Sequence, residues 1–146
     1  MNNPPPPLDP AYVLGIVVGF LIFFPALWIG INGLLSRLSG WHRLAARYAS
    51  ASRPVTGTRR GGVSGQVGFV SYRGVLTLHA DVDGFFLEVM ALFRFGHPRL
   101  FIPWSEISAN APRNLLIWKA QCLSIGHPVV GTITLPADWV AKHRPA

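Results

Sequence analysis

AYVLGIVVGFLIFFPALWIGINGLL, residues 11–35, runs for 25 residues without a charged side chain. As one helix rising about 1.5 Å per residue it reaches ~37 Å, enough to cross a ~30 Å hydrocarbon core with some tilt. Fifteen of these residues are Leu, Ile, Val or Phe. At about −0.3 to −0.6 kcal/mol each they contribute roughly −5 to −9 kcal/mol towards insertion, more than Pro25 and Asn32 take back. Pro25 removes one helix hydrogen bond and is expected to bend the rod. A cleaved secretory signal wants a basic start, a shorter apolar core and a small-residue cleavage site. The flank MNNPPPPLDP has no positive charge and the apolar run is too long, so a retained single-pass anchor is expected, with residues 1–10 as an extended proline-rich tail.

The chain has 146 residues, half of them hydrophobic, with a net charge of +7 and a mean hydropathy of +0.35. That leaves room for one modest domain beside the anchor. The charge is uneven. Residues 1–35 carry only Asp9, residues 36–60 carry six arginines and no acid, and residues 61–146 carry seven basic against five acidic side chains. Basic flanks stay in the cytoplasm, so the pattern predicts an external N-terminus and a cytoplasmic remainder, in the inner membrane of a bacterium. The single cysteine, Cys122, forms no intrachain disulfide, and nothing calls for an oxidising compartment.

On a helical wheel Ala11, Gly15, Gly19, Ala26, Gly30 and Gly33 share about a third of the circumference, and Gly15 to Gly19 is a G-x-x-x-G pair. Gly15, Gly19, Ala26 and Gly30 are thus candidates for packing against a partner helix or a second copy. Beyond the span, SGWHRLAARYAS at residues 39–50 places Trp41, Leu44, Ala45 and Tyr48 on one helical face, with Ser39 as a cap. The expectation is a basic amphipathic helix over residues 36–52 lying in the headgroup layer. Trp41, Arg43, Arg47 and Tyr48, with Arg59 and Arg60, are then the residues that touch lipid and anionic headgroups. Residues 53–63, RPVTGTRRGGV, read as a Gly- and Arg-rich linker.

Residues 64–146 show short apolar runs split by Gly, Pro, Asp and Asn, the spacing of an antiparallel β-domain. Strands are expected at residues 66–72, 75–80, 85–93, 99–102, 115–125 and 129–135, and a short closing helix at 137–143 after Pro136. Turns are expected at Arg73-Gly74, at residues 81–84 and at the two Gly-His-Pro triplets, residues 96–98 and 126–128. The fold class is therefore a membrane-anchored α+β chain: one N-terminal transmembrane helix, a mainly antiparallel β-barrel or sandwich, and a short C-terminal helix. GFFLEVMALFRFGHPRLFIPWSEI at residues 84–107 resembles a group of small bacterial membrane proteins built around a PH-like or GRAM-like domain. In that group an apolar strand and an I-P-[WYL]-S-[ED]-I element lead on to further strands and a C-terminal helix. The resemblance implies a binding or scaffold module with no catalytic residues to carry over.

The chemistry-bearing residues are sparse. His97, His127, His79, His143 and Cys122 show no metal-ligand spacing, so no metal or cofactor is expected. Residues 53–65 lack the G-K-[ST] end of a phosphate loop, and Ser64 lacks the frame of a nucleophile elbow. A hydrolase using His97, His127 and Glu106 is the low-ranked enzymatic alternative. Glu88 interrupts an apolar strand, where pairing with Arg94 or Arg73 accounts for it. His97 and His127 are expected as exposed turn residues. Arg99, Trp104 and Glu106, near one turn, are the candidate partner surface. A nucleic-acid role is not expected, because the positive charge sits against the span and the domain itself carries only +2. The remaining alternative is an accessory structural subunit of a larger membrane complex, docked through the glycine stripe and a sheet edge.

Overall fold

The computed structural model describes residues 7–115 and 118–145. The expected proline-rich tail at residues 1–10 and the expected strand at 115–125 therefore lie partly outside the described residues. The chain divides into two units after Ile31. In the first, a helix α1 (Pro10–Ser39) begins and runs through Pro25 without a break. It is long and apolar enough to cross a membrane, and its side chains are exposed from Pro10 to Leu27.

The second unit starts with the last turns of α1 and a helix α2 (Trp41–Tyr48). Gly40 separates the two helices at φ +78°, a left-handed conformation that a side chain disfavours. The expected continuous helix over residues 36–52 is thus two helices and an extended end. Seven antiparallel strands follow: β1 (Thr58–Val67), β2 (Val70–Ala80), β3 (Gly84–Val89), β4 (Leu100–Pro103), β5 (Ile107–Leu115), β6 (Trp118–Ile125) and β7 (Gly131–Pro136). They form one curled sheet in the order β4-β3-β2-β1-β7-β6-β5. A helix α3 (Ala137–His143) ends the fold.

Three sequence expectations are corrected here. The linker at 53–63 already contains β1, which starts at Thr58 and pairs with β2. The strand expected at 66–72 is the β1–β2 hairpin, turning at Gly68. The strand β5 was not expected at all.

Two packing arrangements explain the apolar runs. The inward residues of the sheet, among them Val67, Leu76, Leu78, Leu87, Ile102, Leu123 and Ile133, form one core with Trp41 and Leu44 of α2. Trp139 of α3 closes it against Phe85 and Trp104, at ring distances of 5.5 and 6.2 Å. GFFLEV is apolar on both faces because Phe86, on the outer face, packs on Phe101 at 4.8 Å, and the Arg53 guanidinium covers Phe101 at 3.8 Å. The outer face of β3 and β4 is therefore sheltered by an arginine.

Candidate functional site

Asn32, Ser36 and Ser39 recur at helical spacing at the end of α1 and are all buried, so the last turns of this helix are part of the folded domain. Ser36 Oγ donates to the Gly96 carbonyl. Ser39 Oγ donates to Ser36 O at 3.1 Å and accepts the Trp41 N–H at 3.2 Å, while the N-cap position of α2 itself is Gly40, against the expectation of Ser39 as the cap. Trp41 Nε1 donates to Pro98 O at 2.9 Å. The Tyr72 hydroxyl lies 2.9 Å from His97 Nε2 and 3.2 Å from Ser39 Oγ. His97 Nδ1 lies 3.2 Å from Phe95 O. A carbonyl only accepts, so neutral His97 carries its proton on Nδ1 and accepts at Nε2 from Tyr72, whose one O–H is shared between His97 Nε2 and Ser39 Oγ. The rings of Trp41, Tyr72 and His97 meet at 5.1 to 5.8 Å.

Two loops press on the helix backbone around this knot. A Cβ at Gly96 would lie 3.3 Å from Gly33 Cα, and one at Gly68 would lie 3.2 Å from the Ser39 carbonyl carbon. The β1–β2 hairpin and the β3–β4 connection thus grip the foot of α1.

His97 is buried, against the expectation of an exposed turn, because this Gly-His-Pro folds onto α1 while the other one does not. Burial holds the imidazole below its ordinary value of 6.5, opposed by the carbonyls of Phe95 and Phe93, and burial raises the Tyr72 phenol. The sign follows from proton binding. A depressed folded-state pKa means the unfolded chain holds the proton more tightly, so this stability is present above about pH 6.5 and is lost as the pH falls below it. The detergent-solubilised chain should melt at a lower temperature at pH 5.5 than at 7.5. His97→Gln should flatten the slope, leaving the part owed to His79, which burial also holds low. An unchanged slope in the variant would refute a buried neutral His97.

The other expected site residues fall elsewhere. Trp41 is fully enclosed and Tyr48 is 7 % exposed, so the apolar face of α2 packs on the sheet and not on lipid. The Tyr48 hydroxyl donates to Glu106 Oε2 at 2.6 Å, with Arg47 3.5 Å from the same carboxylate. Burial, then the Glu106 carboxylate, pushes Tyr48 up to about 12. Trp104 is buried and its Nε1 donates to Asp81 O at 3.0 Å. Arg99 binds Glu88 at 3.2 Å and the carbonyls of Ser50 and Ala51, and Arg94 shares Glu88. Trp104 is therefore buried, while Arg99 and Glu106 are half-buried and engaged in contacts that hold the domain together. Arg60 pairs with Asp138 at 2.8 Å. Arg37, Arg43, Arg59 and Arg113 have no ion-pair partner among the described residues.

His127 is exposed and His97 buried, and no hydrogen bond or ion pair joins either of them to Glu106, whose carboxylate is taken by Tyr48 and Arg47. Among the described residues no group of three or more His, Cys, Asp or Glu is placed to hold a metal. At Gly15, Gly19 and Gly30 an added Cβ meets nothing within 4 Å. Ala26 lies on the same exposed stretch.

Two concavities flank the hairpin. A notch of about 400 Å3 is lined by Ser39, Gly40, Arg43, Gln66, Phe69 and Arg113, among others. A groove of about 1060 Å3 runs between the β1–β2 hairpin and α3, with Arg73, Trp118 and Lys119 on its walls. β1 pairs with β7 only through Gln66 and Val67, which leaves the rest of that edge of β1 open. Compared with protein-family models, curated proteins and solved structures, the chain matches none.

Sequence reasoning missed the buried roles of Asn32, Ser36 and Tyr72 and the burial of His97, and offered Ser39 only as a helix cap. The only available trace was the helical spacing of three small polar residues at the end of an apolar run.

Proposed function

We propose that this chain is a single-pass, membrane-anchored binding or scaffold module, which displays a PH-like β-domain on the cytoplasmic face of a bacterial inner membrane. One observation carries the reading: the exposed apolar helix ends in residues buried in the domain. A cut beyond Ser36 would take the donor from the Gly96 carbonyl, and one beyond Ser39 would take a partner from Tyr72, so the fold favours retention of the foot of α1. A seven-stranded antiparallel sheet followed by a short helix supports the PH-like part, and the six arginines between residues 36 and 60 support the orientation. With Arg99, Trp104 and Glu106 engaged internally, the groove beside Trp118 and the open edge of β1 are the surface for a protein partner.

Membranes washed with alkaline carbonate should retain the chain, and its intact mass should include the residues before Asn32. A phosphatase fused after residue 146 should be inactive and a fluorescent protein at the same place bright. Release by carbonate, a mass lacking the helix, or an active phosphatase would each overturn the reading.

A further inference from the structure

The domain leaves several large apolar side chains in solvent, and three of them sit on the loops that grip the foot of α1. Phe69, at the tip of the β1–β2 hairpin, is 74 % exposed. Leu92 and Phe95, in the β3–β4 connection, are 60 % and 56 % exposed. Each phenylalanine neighbours a glycine packed on the helix backbone: Gly68 on Ser39, and Gly96 on Gly33 and Ser36. Gly33 belongs to the uncharged run of residues 11–35 that supplies the span. The loop carrying Phe95 therefore touches a residue of the span itself, within the second unit, and the hairpin carrying Phe69 touches the helix less than two turns further on. A soluble domain gains nothing by ringing one pole with bare aromatic residues.

The same pole is basic. Arg37 in the last turn of α1, Arg43 in α2 and Arg113 in β5 are exposed and lack acidic partners among the described residues, and Arg43 and Arg113 share the notch that Phe69 lines. No Asp or Glu occurs between residues 11 and 80.

From this placement we infer that the pole of the β-domain around the foot of α1 is seated on the anionic surface of the bilayer. Phe69, Leu92 and Phe95 enter the acyl boundary, and Arg43 and Arg113 bind headgroup phosphates. The inference rests on the anchored reading and adds to it: the domain is held down by its own loops, beyond being tethered by the span. Aromatic side chains favour the interfacial depth, and arginines above an anionic leaflet add to the attraction. Trp41 and Tyr48, which the sequence offered for this role, are replaced in it by residues from two loops distant in sequence.

Cys122 is the one cysteine of the chain, so Cys122→Ser gives a clean background for site labelling. Full-length chains carrying Phe69→Cys, Phe95→Cys or Val82→Cys, each bearing an environment-sensitive fluorophore, are placed singly in nanodiscs containing lipids with nitroxide on the acyl chain. Val82, 82 % exposed, sits past the other end of β2 and serves as the control. Quenching at positions 69 and 95 should exceed that at 82 several-fold. It should deepen when phosphatidylglycerol replaces neutral lipid, and Arg43→Gln with Arg113→Gln should abolish that gain. Quenching at 69 and 95 no greater than at 82, in discs that hold the protein, overturns the seated pole and leaves the anchor standing. Protection of both labels from aqueous iodide without quenching from the acyl chain also overturns it, since a protein then covers the loops. Recovery of the chain outside the discs overturns the anchored reading as well.

Discussion

Replacing Phe20, Phe23 and Leu27 together with arginine is expected to move the chain from the membrane pellet to the soluble or aggregated fraction. The three positions lie near the middle of the apolar run, where an arginine costs about 2.5–3.5 kcal/mol. Three of them oppose insertion by roughly 8–10 kcal/mol, before counting the lost phenylalanines and leucine, against the roughly −5 to −9 kcal/mol that the fifteen large apolar residues supply. The balance therefore reverses. None of these residues belongs to the second unit, so the β-domain itself should keep its fold in whatever fraction it is found. Fractionation after carbonate treatment reads the outcome. A triple variant still resistant to carbonate would mean that the helix is held by something other than lipid.

Trp41→Ala is expected to be the most damaging single change to the domain. Trp41 is fully buried, it meets His97 edge-on and Tyr72 at a tilt, and its indole donates to Pro98 O. Truncating a buried tryptophan costs about 3–5 kcal/mol, and the Pro98 carbonyl also loses its donor. For a domain of this size the melting temperature should fall by roughly 15 °C or more. Trp41→Phe keeps most of the ring and forfeits the hydrogen bond, so it should cost about 1–2 kcal/mol. Had Trp41 been lying in headgroups, both variants would melt like the parent and differ only in their lipid contacts. Thermal melts of the solubilised chain distinguish the two.

The contrast at Trp41 also shows what was readable beforehand. The periodicity of Trp41, Leu44, Ala45 and Tyr48 identifies an amphipathic helix and its apolar face. It does not say which apolar surface that face meets, because a sheet and an acyl boundary ask for the same side chains. The long apolar helix, the turn at residues 81–84 and the helix Ala137–His143 were legible because each has local chemistry of its own: uninterrupted hydrophobicity, clustered Asp and Gly, and a proline start. The strand β5, ISANAPRNL, was not. It lies at the end of the sheet order, exposes nearly all its residues and contains Pro112; its alternation rests on two small alanines, too weak a signal to read, and it is held by pairing with β6. β1 was hidden in the same way by its glycines and arginines, since its first half is exposed and its register against β2 is irregular.

The two Gly-His-Pro triplets make the same point for the site. They are identical in sequence, yet one histidine is buried against Tyr72 and Trp41 while the other faces solvent. The difference lies in Ser36, Ser39 and Tyr72, dozens of residues away in the chain, and no local rule reaches that far. The internal use of Glu106 by Tyr48, and of Arg99 by Glu88, was hidden for the same reason.

The length of β2 has a consequence of its own. Its 11 residues, at about 3.3 Å each, carry the chain up to roughly 36 Å from the hairpin tip to the turn holding Asp81, Val82 and Asp83. The potential of a charged leaflet decays over about 8 Å in physiological salt. Were the hairpin tip seated at the headgroups, as inferred above, the carboxylates of that turn would stand several decay lengths beyond the leaflet's field. A ligand that docks there meets the same electrostatic conditions whatever the lipid composition, while events at the opposite end change with every shift in membrane charge. Seated as inferred above, one small domain would offer its surroundings a lipid-sensitive end and a lipid-blind one.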